Sequence, residues 1–133
     1  MSDLVQRAAE RLLAVRAGGP RLADLGDAAP TLVSDAWAIQ RAVLDGFGGR
    51  IGGWKCAAPP GKPTSGAMLD ARGIKPSPAT WPVPPGERIG IETEIAFRLG
   101  RDLPSRGAPY SREEVLDAVA ACFPAVELVA SRY

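Results

Sequence analysis

The sequence predicts an α/β (α+β) chain, with helices in residues 1–50 and a mixed β-sheet in residues 51–133. Three observations predict it. Apolar residues recur at three- and four-residue spacing in two N-terminal stretches, which is the period of a helix. From Ile89 to Leu99 they alternate strictly, which is the period of a strand. Glycine pairs and prolines separate these stretches at the spacing of element ends.

Asp3 to Ala17 carries Leu4/Val5, Ala8/Ala9 and Leu12/Leu13 on one face, with Arg7, Glu10 and Arg11 between them. Gly18-Gly19-Pro20 stops that helix, and a linking segment follows from Pro20 to Pro30. A second helix is predicted from Ser34, as N-cap, to about Phe47, with Gly48-Gly49 ending it. Gln40 falls on its mostly apolar stripe, so a partly buried amide with a backbone partner is expected there. Arg50-Ile-Gly-Gly-Trp-Lys-Cys-Ala-Ala58 comes next. Lys55 has no acidic neighbour in sequence, so partial desolvation would lower its pKa and make it a usable acid or base; a lysine snorkelling from the structure is the plainer reading. Cys56 reads as a small buried residue. Residues 59–85 hold Pro59, Pro60, Pro63, Pro76, Pro78, Pro82, Pro84 and Pro85 out of 13 prolines, which excludes a long helix or a central strand. An irregular crossing is predicted, with one short apolar piece at Ala67-Met-Leu69 and some order around Trp81.

In the alternating stretch, Ile91, Thr93, Ile95, Phe97 and Leu99 share one parity and Glu92, Glu94, Ala96 and Arg98 the other. Glu92 and Glu94 then stand on the same face, roughly 6–7 Å apart along the strand. Like charges that close repel unless water screens them or a cation lies between them. Ser111-Arg-Glu-Glu114 is a capping box, predicting a helix with Val115/Leu116, Val119 and Cys122/Phe123 on one face and Pro124 at its end. Ala125 to Ala130 reads as a short, largely buried strand, in which Glu127 needs a partner, a raised pKa or a metal. Glu92, Glu94 and Glu127 are therefore either a three-carboxylate metal site or exposed carboxylates on a half-wet sheet.

Composition narrows the chemistry. The 133 residues, 46% hydrophobic and 23% charged, suit one globular domain. Sixteen basic and 15 acidic residues give a net charge of +1 without a basic block, so neither nucleic acid nor an anionic membrane is expected as a partner. There is no histidine, which excludes Ser-His-Asp and Cys-His nucleophile systems and histidine zinc sites. A metal would be held by carboxylates, which favours Mg²⁺, Mn²⁺ or Ca²⁺. Two distant cysteines, Cys56 and Cys122, with no secretory or membrane-spanning apolar run, suggest the cytoplasm.

Several segments together resemble one family. Gly90-Ile-Glu-Thr-Glu-Ile-Ala-Phe-Arg-Leu-Gly-Arg-Asp-Leu-Pro104 is similar to the E-x-E-I-A-F-x-L-x-R-D-L segment of the 2-keto-4-pentenoate hydratase group of the fumarylacetoacetate hydrolase superfamily. Ala36-Trp-Ala-Ile-Gln40 resembles its A-Y-A-I-Q helix and Gly53-Trp-Lys55 its G-W-K strand. Phe123-Pro-Ala-Val-Glu-Leu-Val-Ala-Ser-Arg132 resembles its P-A-x-E-[VI]-V-x-S-R strand. The resemblance implies that Glu92, Glu94 and Glu127 ligate Mg²⁺ or Mn²⁺ and that Lys55 lies by the substrate as a proton-transfer residue. It loosely places Asp70 at an acidic catalytic position. It implies a hydro-lyase acting on small 2-keto or 2-hydroxy-dienoate acids from aromatic catabolism, with the metal as Lewis acid and template for the 1-carboxylate and 2-oxygen. A decarboxylase or C–C hydrolase of the same superfamily and a non-catalytic remnant that binds metal are the alternatives. The sequence departs from the family after Lys55, at Cys56-Ala-Ala-Pro-Pro60, and at Ala130, where many members have Asp. The resemblance covers the N-terminal half of such proteins, so a truncated, incomplete β-rich fold is expected. Its open apolar edge predicts a homo-oligomer or low stability.

Overall fold

The computed structural model describes residues 1–57, 59–61, 65–83, 86 and 88–129. They form three α-helices and two two-stranded antiparallel sheets, a mixed α+β architecture, and the chain divides into two compact units between residues 81 and 82.

The first unit contains α1 (Asp3–Arg16), α2 (Val33–Gly46), β1 (Ile51–Ala57) and β2 (Ser65–Asp70). Ser2 caps α1 by accepting from the Val5 N–H, and Asp3 sits in the positive first turn. Both helices end alike. Gly18 (φ +95°) and Gly48 (φ +65°) take the positive φ that a side chain resists. The following N–H groups reach back five residues, from Gly19 to the Ala14 carbonyl (2.9 Å) and from Gly49 to that of Leu44 (2.8 Å), which closes the helix ends. α2 begins earlier than its expected Ser34 cap. Leu32 is the extended residue before the helix, and no side chain caps it. The Ala36 N–H bonds the Leu32 carbonyl, and Asp35 lies in the first turn, where its charge is favoured.

The predicted helix faces form the core: Val5, Ala8 and Ala9 of α1 pack with Ile39 and Val43 of α2. Leu25 and Ala28 complete it from the link, which folds into a 3-10 turn at Gly26–Ala28. Arg11 holds that turn on α1, donating to the Leu25 carbonyl and to Asp27 (2.7 Å). The guanidinium of Arg11, with Arg7 behind it, pulls the Asp27 pKa below its ordinary value.

β1 pairs with β2 from Ile51 opposite Asp70 to Ala57 opposite Ser65. The short apolar piece expected inside the proline-rich crossing is thus a strand, and helices 1–50 share a unit with it. α2 docks on the hairpin through two residues three apart, which lie on one helix face. Trp37 meets Trp54 edge-on at 5.6 Å between ring centroids and lies over Gly66, where an added Cβ would come within 3.1 Å of its ring. Gln40 accepts from the Met68 N–H (2.8 Å) and donates to the Gly66 carbonyl (3.4 Å). These are backbone groups of β2 that β1 does not use, so the amide stands in for a peptide group of a third strand. Trp81 is anchored by Lys75, whose ammonium lies 4.2 Å from the ring centre. Pro63, Pro84 and Pro85 lie outside the described residues.

The second unit contains β3 (Gly90–Leu99), α3 (Arg112–Ala118) and β4 (Val119–Val129). The capping box is present in full, with the Ser111 hydroxyl and the Glu114 carboxylate each bonding the other's backbone N–H. The helix is shorter than expected. It ends at Ala118, and residues 119–123, expected to be helical, belong to β4. Val119, Cys122 and Phe123 are better suited to a strand, and β3 offers them a complete partner. Pro124 does not end an element. It sits within β4 opposite Ile95, and a strand with one neighbour loses at most one ladder bond to its missing N–H. The loop before α3 is held by Arg106, which forks onto both oxygens of Glu114 (2.8 and 2.6 Å) and stacks on Tyr110 at 3.8 Å. That guanidinium, helped by the Ser111 N–H, holds the Glu114 pKa down at about 2.

The alternation of β3 sorts its residues as predicted, but the apolar row is the exposed one. Ile91, Ile95 and Phe97 point to solvent, opposite Leu128, Pro124 and Cys122, while Glu94 and Ala96 on the other face are half-buried. Ala118 is the one fully covered hydrophobic residue among those described in this unit.

Candidate metal site

The β3–β4 register brings the three glutamates together. Glu92 lies directly opposite Glu127, and Glu94 is two residues along the same face of β3. Glu94 faces Ala125, whose methyl group leaves room beside it. One carboxylate oxygen from each residue lies within 4.8 Å of the other two. Glu92 is exposed, and Glu94 and Glu127 are half-buried. Glu92 against Glu127 is a pairing of two like-charged residues directly across the strand pair. The donor set is all oxygen, which suits hard divalent ions. Glu92, Glu94 and Glu127 would each offer one carboxylate oxygen to such an ion, which would supply Lewis acidity there. The Ser131-Arg132 end of the glutamate-bearing segment, and Ala130 before it, lie outside the described residues.

Lys55 and Asp70 belong to the first unit. Lys55 is half-buried on β1 opposite Ala67, on the hairpin face turned away from Trp37 and α2. Asp70 ends β2 and is already engaged. It caps the 3-10 turn Ala71–Gly73 by accepting from the Arg72 N–H and takes the Arg72 guanidinium at 2.7–2.8 Å. That bond lowers its pKa and makes it a weak proton acceptor near neutrality. The spacing Asp70-Ala-Arg72 is the sequence signal for this turn, which placing Asp70 by the resemblance misses. Cys56, expected to be buried, is exposed near the end of β1. Gln40 has the backbone partners expected of it.

No helix among the described residues is long and apolar enough to cross a membrane. No family model, curated protein or solved structure matches the chain.

Proposed function

We propose that the chain binds Mg²⁺ or Mn²⁺ through Glu92, Glu94 and Glu127 and serves a hydro-lyase reaction on small 2-hydroxy-dienoate or 2-keto-4-enoate acids. The observation that supports this most is the convergence of three carboxylate oxygens within 4.8 Å on one sheet face. The reaction itself follows from the resemblance of the Glu-x-Glu, Gly-Trp-Lys and Pro-Ala-x-Glu segments.

When bound, the ion supplies Lewis acidity to the substrate's 1-carboxylate and 2-oxygen. Glu92, Glu94 and Glu127 hold and orient it, and their charge offsets its own. The proton-transfer role falls to Lys55 by the resemblance of Gly53-Trp-Lys55 alone. A proton delivered to the end of the diene, as the 2-hydroxyl gives up its own, turns the dienol into a conjugated 2-keto-3-enoate. Water then bonds through oxygen to C4 while C3 gains a proton, so one water is added overall.

The test is a Mn²⁺ titration of the wild type and Glu94→Gln, read by water-proton relaxation. The substitution keeps the shape and removes one charge, and a loss of about tenfold or more in affinity is expected. Equal affinity rules out the three-carboxylate site. Loss of dienol absorbance from 2-hydroxypenta-2,4-dienoate with Mg²⁺ or Mn²⁺ tests the reaction separately. Binding without turnover leaves a metal-binding protein and removes the hydro-lyase.

A further inference from the structure

We propose that the apolar face of the β3–β4 hairpin is an interface between two copies of this chain. Four paired rows make up this face: Ile91 with Leu128, Thr93 with Val126, Ile95 with Pro124, and Phe97 with Cys122. None of the eight residues is charged. Ile91, Ile95, Phe97 and Val126 are 71%, 70%, 60% and 68% exposed, against the usual burial of such residues in a strand face.

Two features select a second copy as the occupant. The first is area. These side chains with Leu128 offer about 500 Å² of contiguous apolar surface, near the upper end for a monomer and roughly two-thirds of the ~800 Å² each partner contributes to a standard interface. The polar rim on each partner would supply the remaining third. The second is self-complementarity. A face with no charge meets itself without repulsion, and one two-fold axis closes the contact, so growth stops at two. A two-stranded sheet is marginal alone, whereas two stacked face to face make a four-stranded sandwich with a dry interior about 10 Å thick. The second unit has Ala118 as its one fully covered hydrophobic residue among those described, and a second copy would cover its apolar row. The glutamates stand on the opposite face of the sheet and take no part.

Sedimentation equilibrium of the full chain over a wide concentration range tests this, with Thr93→Lys and Ile95→Lys as probes and circular dichroism to follow folding. The wild type is expected to be a monomer–dimer system. Each lysine enters the interface twice, so dissociation constants about a hundredfold higher or more are expected for the folded variants. The cysteines give a readout that needs no folded variant. Cys122 lies on the proposed face and Cys56 does not, and both are exposed in the single chain. Reaction of Cys122 with a thiol reagent is expected to slow as protein concentration rises, while Cys56 is unchanged. A monomer at every concentration, a dimer indifferent to a folded lysine variant, open-ended polymers, or Cys122 reactivity independent of concentration each overturns the proposal. So does a chain that stays monomeric and instead sediments with phosphatidylcholine vesicles.

Discussion

Replacing Gln40 by leucine is expected to weaken the first unit by about 1–2 kcal/mol. The magnitude follows from two bonds of unequal worth. The Met68 N–H donates to the amide oxygen at 2.8 Å in a half-covered position, so its loss leaves a backbone donor short of a partner. The amide donates to Gly66 at 3.4 Å, a bond that water readily replaces. The first bond therefore carries most of the cost. Gln40→Glu separates the two. It keeps the acceptor for Met68 and sets a carboxylate oxygen against the Gly66 carbonyl. The neutral acid is then favoured in the folded state, which raises the folded pKa above the unfolded one. The sign follows: the deficit is full above the folded pKa and shrinks as pH falls toward the unfolded glutamate value of about 4.3. Urea unfolding followed by tryptophan fluorescence reads the change where it occurs, because Trp37 and Trp54 meet at this contact. The reasoning fails if the leucine variant lies within about 0.3 kcal/mol of wild type, or if the Gln40→Glu deficit relative to wild type does not shrink on acidification.

Two further outcomes follow from the packing and the caps. Ile39→Ala removes a side chain only 4% exposed at the centre of the helix pair and is expected to cost about 3 kcal/mol, read from the urea midpoint. Glu114 has a folded pKa of about 2 against an ordinary 4.5, so its contribution is complete above about pH 4.5 and is lost as pH falls toward 2. Protection of the Ser111 and Glu114 amides, relative to the intrinsic exchange rate at each pH, is expected to fall across that window in the wild type and to be weak already at neutral pH in Glu114→Gln.

The parts of the fold that depend on neighbours in sequence were legible. The helical stripes of α1 and α2, their glycine stops and the Ser111 capping box are local patterns whose physics is complete within a few residues. Gln40 was legible too, because a polar side chain on an apolar stripe has few other ways to be satisfied. What escaped was set by partners far along the chain. Val119 to Phe123 fits a helix by spacing, and only the presence of β3 makes a strand the better state for it. Ala67 to Leu69 became a strand because Trp54 and Gly53 stand opposite. Asp70 looked available until Arg72 and the turn were seen to occupy it. The three glutamates could be named from the sequence, but their convergence depends on a register that puts Glu92 opposite Glu127, and one residue of slip would send Glu127 to the other face.

That dependence bears on how the two faces of the β3–β4 sheet relate. Alternation says which residues share a face and is silent on which face is covered. Here the less exposed face is the acidic one, with Glu94, Ala96, Ala125 and Glu127 half-buried, an inversion that a free two-stranded sheet has no reason to prefer. It is explained if each face has its own occupant, a cation among the carboxylates and a second copy over the apolar row. The two are then separable in a way that one shared cause would not be. Thr93→Lys acts on one face and Glu94→Gln on the other, with the sheet between them. The first is expected to abolish the dimer while leaving Mn²⁺ affinity within about twofold, and the second to weaken Mn²⁺ binding while leaving the dimer intact. If either variant lost both properties while still folded, the faces would be coupled, and the hairpin's inverted pattern would need a single explanation in place of two.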